Sequence, residues 1–256
     1  MKMKRLYLLF LLPLLLTGCY THRVIGLLQE PTKGNKLPVY DSAEYVPYKI
    51  RVNDEIIYRL ITMDETISKA ISGGQQYVSA QYANSYRVYS DGTIDIPFLP
   101  PVHIEGLTIE EAQDTLRAAF REIIPDADVK LALYNKYFTV MGDINAGEYY
   151  IYKEKMNIFE ALAMTGDLMN SGDRRHVRII RPRGNGAEPE VLEFDIRTNT
   201  IINSKYYYIY PNDVIYVART KDSFFKVPSY TGFLGLITSS LSLLVSVLNY
   251  TVLVID

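Results

Sequence analysis

An uncharged segment at the C-terminus restricts the possible folds of this chain more than any other feature, because no charged side chain lies between Lys226 and Asp256. Small or polar residues recur there at steps of three and four, which places them on one face of a helix. Tyr230 and Tyr250 are twenty residues apart, which on a helix is about 30 Å, the thickness of a bilayer's hydrocarbon core. Tyrosine favours membrane–water interfaces, so residues 221–256 are predicted to contain a transmembrane helix with these two interface anchors. The polar face comprises Gly232, Gly235, Ser239, Ser242, Ser246 and Asn249.

A membrane helix with a polar stripe has three possible roles: a simple anchor, a bundle of packed copies, or the wall of a wet pore. A lone anchor needs no polar face, because hydroxyls and amides in hydrocarbon are better paired than exposed. Gly and Ser at this spacing suit close packing between helices, whereas uncharged Ser and Asn suit a water-filled lumen. The six residues are therefore predicted to line a pore or to pack helices, and spacing alone leaves all three roles open.

The N-terminus has the pattern of a bacterial lipoprotein signal. A basic start precedes the apolar run from Leu6 to Leu16, and Leu16-Thr17-Gly18-Cys19 reads as a lipobox. Residues 1–18 are predicted to be a signal peptide, and Cys19 is predicted to carry a covalent lipid. Cys19 is the single cysteine of the chain, so no internal disulfide is possible. Tyr20 follows it in place of the Asp that commonly retains lipoproteins in the inner membrane, which favours the outer membrane.

Charge argues against one class of partner. The formal net charge of −2 becomes more negative when the basic residues of the signal peptide are removed. The chain contains no run of Lys or Arg, so nucleic acid is not an expected partner. Residues 19–46 are polar with scattered Pro and Gly, and they are predicted to form a tether from the lipid to the first domain.

The first predicted domain, residues 47–135, combines short strands with one helix. Asp91-Gly92 predicts a two-residue hairpin between two strands. Thr108 followed by Glu111 is a capping box that begins a helix, and Pro125 ends it. The apolar positions predicted for the buried face of this helix are Ile109, Ala112, Leu116, Ala119 or Phe120, and Ile123.

The second predicted domain, residues 136–220, is built in a similar way. Asn157 begins a second short helix, and strands are predicted at 138–141, 177–181 and 191–196. The turn residues Asn212-Asp213 repeat the pair Asn53-Asp54 of the first domain. Asn tolerates left-handed dihedral angles and Asp can bond the turn backbone, so both pairs are predicted to be turns that lead into strands.

Taken in order, these segments resemble the outer-membrane polysaccharide export lipoproteins of the Wza type. The resemblance to the polysaccharide export domain rests on residues 48–57, 86–97 and 102–108. The second domain resembles the SLBB β-grasp module. That resemblance rests on residues 140–144, 147–149, 158–162, 177–181 and 212–217. Only one such module fits in the chain, whereas the best-known members of the family have two, so a shorter periplasmic assembly is expected.

The resemblance implies an α+β fold of two small periplasmic modules followed by the C-terminal outer-membrane helix. It implies a homo-oligomeric ring, commonly an octamer, whose terminal helices form a barrel across the outer membrane. Such a channel exports capsular polysaccharide or exopolysaccharide to the cell surface, with Asp256 outside the cell. An inner-membrane polysaccharide co-polymerase or tyrosine kinase is the implied partner, and no cofactor is implied beyond the lipid on Cys19.

Catalysis and metal binding are not expected. The histidines His22, His103 and His176 have no metal-ligand neighbour at short spacing. No nucleophile elbow and no Gly-rich phosphate loop occurs. The chain is therefore predicted not to be an enzyme.

The alternative function is a lipoprotein that binds a saccharide or another soluble ligand without forming a pore. Two features favour it: the tyrosines at 206–208 and 210, which could stack on sugars, and a basic cluster. Alternation in a strand explains the tyrosines more simply than a sugar platform does. Arg174, Arg175 and Arg178 could contact an acidic polymer or a neighbouring subunit, or they could lie on a solvated strand face with salt bridges.

Overall fold

The computed structural model describes residues 22–63, 85–184, 187–202, 204–221 and 230–255. The predicted signal peptide and Cys19 lie outside these ranges. The described residues form two α+β domains and a C-terminal helix, so the predicted α+β class is confirmed. In chain order, the helices and strands are α1 (His22–Ile25), β1 (Glu55–Ile61), β2 (Tyr86–Arg87), β3 (Thr93–Ile94), β4 (Val102–His103), α2 (Ile109–Arg121), β5 (Asp128–Leu133), β6 (Tyr137–Gly142), β7 (Gly147–Tyr150), α3 (Ile158–Met164), β8 (Gly172–Arg181), β9 (Glu190–Phe194), a 3-10 turn (Asn199–Ile201), β10 (Val214–Arg219) and α4 (Tyr230–Ile255).

The strands of the first domain form two small sheets. Strand β1 lies between β2 and β5 in an antiparallel sheet, and β3 pairs with β4. The turn at Asp91-Gly92 exists, with Gly92 at φ 78°, and Thr93 N donates to the Asp91 side chain at 3.0 Å. Tyr89 N donates to Thr93 O at 2.8 Å across this turn, but β2 and β3 form no ladder with each other, because β2 pairs with β1 and β3 pairs with β4. Neither β2 nor β3 is long enough to form a stable two-stranded hairpin alone.

Helix α2 begins at the predicted capping box. Glu111 N donates to the Thr108 hydroxyl at 3.2 Å, and Thr108 N donates to the Glu111 carboxylate at 2.8 Å. Ala112, Leu116 and Phe120 are buried against the sheet, which selects Phe120 over Ala119 as the deepest residue of that turn. The prediction for Ile123 is wrong: the helix ends at Arg121, and the Ile123 side chain is 55% exposed.

The second domain is a five-stranded sheet with one helix against it. The strand order is β7-β6-β10-β8-β9. Strand β10 runs parallel to β6, and the other neighbours are antiparallel. A capping box at Asn157 and Glu160 begins α3. The helix buries Ile158, Ala161 and Leu162 against inward residues of the central strands.

Strand β6 ends at a residue that must be glycine. Gly142 has φ 104°, and a Cβ atom built there would lie 2.0 Å from the carbonyl oxygen of Val217. Asp143 N donates to that same oxygen at 2.8 Å. The close approach of β10 therefore excludes every side chain at this position.

The two predicted Asn-Asp turns have the same backbone conformation. Asn53 has φ 69° and Asn212 has φ 67°, both in the left-handed region that Asn tolerates. The Asp residue that follows is buried in each case, Asp54 in the first domain and Asp213 in the second. The prediction that both pairs form turns is confirmed.

The segment before the first domain packs on the second domain. Gln29 N donates to Arg197 O at 2.6 Å, and Asn199 N donates to Gln29 O at 3.0 Å. Asp195 N donates to the Tyr40 hydroxyl at 2.8 Å. Leu37 is buried and the ring of Tyr40 packs against the core of the second domain. Residues 22–46, predicted as part of a free tether, are therefore held along their length; we call them the N-terminal strap.

The C-terminal segment is a helix, α4, as predicted. Most of its described apolar side chains are exposed in the single chain, with Leu241 at 56% and Leu243 at 67%. Among the described residues, no helix combines the length and the apolar character needed to cross a membrane. The transmembrane part of the prediction is therefore not supported.

Candidate functional site

The structure removes Arg174 from the predicted basic surface. Its side chain is buried, and its guanidinium donates to the carbonyl oxygens of Leu168 at 3.0 Å and Met169 at 3.0 Å. These bonds fix the loop between α3 and β8. The proposed contact of Arg174 with a polymer or subunit is wrong because its donors face inward.

Arg175 and Arg178 do lie on the surface. Both are exposed on β8, and Arg178 Nε donates to the Glu193 carboxylate on β9 at 2.6 Å. Exposed ion pairs of this kind contribute little to stability. The pair of Arg178 with Glu193 fits the alternative of a solvated strand face with salt bridges. A contact with an acidic polymer or a neighbouring subunit stays a prediction for Arg175 and Arg178.

The predicted polar stripe lies on α4. Five of its residues are exposed: Gly235, Ser239, Ser242, Ser246 and Asn249. Gly232 is partly exposed. The Ser246 hydroxyl donates to Ser242 O at 2.9 Å, so this hydroxyl is satisfied by its own helix. Of the two predicted interface anchors, Tyr250 is exposed, and the side chain of Tyr230 lies outside the described part of the structure, as does Cys19.

The tyrosine cluster divides between core and surface. Residues 206–208 and 210 lie in turns before β10, so the prediction of strand alternation is wrong. Tyr206 packs on Phe194 and Tyr40 with ring centroids 5.2 and 4.9 Å apart. Tyr208 and Tyr210 instead contact Tyr45 at 4.9 and 6.1 Å and line a cleft.

This cleft lies between the two domains, and sequence reasoning did not find it. Arg51 lines three neighbouring cavities of about 300, 550 and 320 Å³. The first also touches Arg181 and Tyr210 of the second domain, and the second touches Asn212. We call it the interdomain cleft. Its main lining residues are Tyr48, Lys49, Arg51, Arg181, Arg183, Lys205, Tyr208, Tyr210 and Asn212.

Two buried carboxylates lie next to the interdomain cleft: Asp54 lines its cavity of about 550 Å³, and Asp213 lies behind the lining residue Arg181. Asp54 accepts from the Tyr48 hydroxyl and from Arg51 N, both at 2.8 Å. Asp213 accepts two bonds from the Arg181 guanidinium, at 3.0 and 2.8 Å. Burial raises the pKa of both carboxyls, and the positive charge of Arg51 opposes that rise at each of them. The two Asn-Asp turns therefore meet around one arginine.

Arg51 itself is incompletely paired. Its Nη1 atom is buried and, among the described residues, has no hydrogen-bond partner. The guanidinium carbon lies 5.1 Å from the centre of the Tyr48 ring, in cation–π geometry. Buried polar atoms nearly always have a partner, so this donor calls for an explanation. The sequence around Arg51 does not mark it, because several of the groups that complete the cleft around it, such as Arg181 and Asn212, come from the second domain.

Comparison with known proteins gives a family for the first domain. Residues 42–133 match the family model described as "Polysaccharide biosynthesis/export protein". This part of the chain is therefore similar to the polysaccharide export family. The match covers the three-stranded sheet, the β3–β4 pair and α2, which are the parts in which the sequence resembled this family. The predicted resemblance to polysaccharide export proteins is confirmed.

One relative extends the comparison beyond that domain. The EPS I polysaccharide export outer membrane protein EpsA of Ralstonia solanacearum is 24% identical over 193 residues, which is 71% of this chain and 50% of that protein. The chain thus spans about half the length of the relative that it matches. Both matches carry descriptions of export and not of catalysis, in agreement with the prediction that the chain is not an enzyme. Within the described residues, no cluster of His, Cys, Asp or Glu could hold a metal ion.

Proposed function

We propose that this chain is a subunit of an outer-membrane channel that exports a polysaccharide from the periplasm to the cell surface. The observation that carries the proposal is the export domain at residues 42–133. The similarity to an outer-membrane polysaccharide export protein supports it along most of the chain. The exported polymer is a capsular polysaccharide or an exopolysaccharide.

The channel is a homo-oligomer, and its wall in the membrane is a barrel of packed α4 helices, because no described helix combines by itself the length and the apolar character needed to cross a membrane. The exposed apolar side chains of α4 favour burial against lipid or against other copies. The uncharged run before Asp256 and the stripe of Gly and Ser support close packing around a wet lumen. Copies of α4 packed together would shield the polar stripe from lipid, which a single helix cannot do. The Asp256 end then faces the outside of the cell.

The second domain serves as a β-grasp module of the SLBB kind, and the covalent lipid sits on Cys19. A mixed sheet with the helix α3 on one face supports the first assignment. The lipobox at residues 16–19 supports the second. The polymer and an inner-membrane co-polymerase or tyrosine kinase are the proposed partners.

A lipoprotein that binds saccharide without forming a pore is the second candidate. The interdomain cleft favours it, because a cavity between two domains is a common place for a ligand. The two candidates differ in the oligomer and in the position of the C-terminus.

Two measurements separate the candidates. Electron microscopy of the full chain extracted in detergent is expected to show rings, whereas monomers would favour the binding lipoprotein. An epitope tag after Asp256 is expected to bind antibody on intact cells. A tag that is labelled only after permeabilisation would contradict the proposed topology.

A further inference from the structure

Arg51 is placed to receive an anion. It lines all three cavities of the interdomain cleft, and its Nη1 atom is buried without a partner among the described residues. A guanidinium presents a planar fork of donors that fits a carboxylate better than any other side chain does. The nearby carboxylates do not fill this role, because Asp54 and Asp213 are bonded to Tyr48 and Arg181.

The walls beside Arg51 are aromatic and held in place. The Arg181 guanidinium covers one face of Tyr210 at 4.3 Å from the ring centre. The Tyr210 hydroxyl donates to Val46 O at 2.7 Å, and Tyr208 contacts the ring of Tyr45 edge to face. Rings fixed in this way offer a preformed apolar surface with polar edges, which suits the faces and hydroxyls of a sugar.

The charge of the cleft suits a ligand with a single negative charge. Lys49, Arg51 and Lys205 line the cavity of about 300 Å³ together with one acid, Glu44. The Arg181–Asp213 pair adds no net charge. Glu44 in this cavity and the buried Asp54 in the adjoining one offset two of these three positive charges, so a carboxylate matches the one that is left better than a phosphate dianion does. The volume lies at the small end of ligand pockets, which suits one sugar ring at a time.

We propose that the interdomain cleft binds a sugar residue that bears a carboxylate, with the carboxylate on the Arg51 guanidinium and the ring against Tyr48, Tyr208 and Tyr210. The choice of a sugar rests on the proposed function. The same chemistry is offered by a free uronic acid and by a uronate residue within a polymer. Because both domains supply the walls, the site exists only in the two-domain arrangement.

The affinity of this site is low. Glu44 and Asp54 offset part of the positive charge, and the cleft is open to solvent, so a dissociation constant of about 1 mM is expected for a short oligosaccharide. A polymer in transit must leave every site that it meets, which makes a weak site compatible with export.

The test uses the full chain in detergent and isothermal titration with tri-galacturonate. Maltotriose is the neutral control, and galacturonate monomer distinguishes a free acid from a chain residue. Arg51→Gln is expected to weaken tri-galacturonate binding by about tenfold, the effect of losing a charge-assisted bond. Arg59→Gln is the matched control, because Arg59 is an exposed arginine on β1 of the same domain; binding by this variant is expected to equal that of the unaltered chain. Circular dichroism checks that both variants are folded.

Three results would overturn the proposal: no saturable binding of tri-galacturonate, equal binding of maltotriose, or binding that Arg51→Gln leaves unchanged. Tighter binding of the trimer than of the monomer assigns the site to the polymer, and equal binding assigns it to a free uronic acid. The proposed function has a separate readout. A host strain without this chain that still displays its surface polysaccharide would overturn the export function, whatever the titration shows.

Discussion

Arg181 and Asp213 form a two-point ion pair in which Arg181 Nε and Nη2 donate to the two carboxylate oxygens at 3.0 and 2.8 Å. Asp213 is fully buried, and Tyr210 N donates a further bond to it at 2.9 Å. The pair joins the end of β8 to the turn before β10, at the wall of the interdomain cleft. It therefore stabilises the second domain and also fixes the part of that domain's surface that faces the first domain.

Loss of the arginine should leave a buried charge without its partner. Arg181→Met is expected to lower the free energy of unfolding by about 3–5 kcal/mol at neutral pH. Burial already raises the pKa of Asp213, and the variant should raise it further. A carboxyl with a raised folded-state pKa favours the folded state more as the pH falls, so the loss should shrink at acid pH.

Urea denaturation at pH 7 and at pH 5 measures both effects. Arg178→Met is the control, because it breaks the exposed pair with Glu193 and should cost about 1 kcal/mol or less. Equal losses in the two variants would contradict the assigned role of the buried pair.

Gly142 and Gly106 allow a matched test of the close contact between β6 and β10. Both have positive φ, 104° and 79°, but a Cβ at Gly106 meets no atom within 4 Å, whereas one at Gly142 lies 2.0 Å from Val217 O. Gly106→Ala should cost about 1 kcal/mol from backbone strain alone. Gly142→Ala should cost at least about 2 kcal/mol more, because β10 must move. Thermal or urea denaturation of the two variants gives the comparison, and equal costs would show that the contact is looser than described.

The N-terminal strap depends on a buried pair in the second domain. Arg197 donates to both oxygens of Asp195 at 2.9 and 2.6 Å, and also to Arg23 O at 3.0 Å. Lys33 and Lys36 are exposed in the strap, and Arg197→Met should release its backbone, so that trypsin can bind the chain at these lysines in the extended form that cleavage requires. Mass spectrometry of timed digests is expected to show faster cleavage there than in Arg175→Met, a surface control. Unchanged cleavage would mean that other contacts hold the strap.

The capping box of α2 predicts an acid-sensitive contribution to stability. Hydrogen bonds from the backbone and hydroxyl of Thr108 hold the pKa of Glu111 below its usual 4.5. A carboxyl with a lowered folded-state pKa stabilises the fold above that usual value, and the contribution is lost as the pH falls through the folded-state pKa. Glu111→Gln keeps an acceptor for Thr108 N, so its unfolding free energy should depend less on pH below 4.5 than that of the unaltered chain. The check is urea denaturation of both proteins at several pH values. Plots of unfolding free energy against pH that run parallel for the two proteins would contradict this prediction.

Local features of the fold were predictable from sequence, and long-range ones were not. Thr108, Asn157, Asn53 and Asn212 act through neighbours a few residues away, so their caps and turns could be identified from spacing. The burial of Arg174 could not be predicted, because an arginine on a strand is expected to be exposed. Only the folded loop between α3 and β8 supplies the carbonyl groups that it binds. Helix periodicity likewise placed Ile123 on the buried face of α2, although the helix ends at Arg121.

The strap and the interdomain cleft were missed for the same physical reason. Tyr40 bonds to a residue 155 positions away, and Arg51 meets groups of the second domain across the cleft. Composition marks residues 19–46 as polar, but polarity alone does not separate a free tether from a segment bonded along its length. Tertiary packing determines which residues contact the strap and which residues line the interdomain cleft.

Export of polysaccharide is the central claim, and the amount of polymer on the cell surface measures it most directly. A host strain that lacks this chain should be complemented by the full sequence but not by one that ends at residue 229, although the shorter protein should fold and reach the same compartment. Surface polysaccharide, assayed on intact cells by antibody or lectin, should be lost while polymer collects in the periplasm. Normal surface polysaccharide in the strain with the shortened chain would contradict the account.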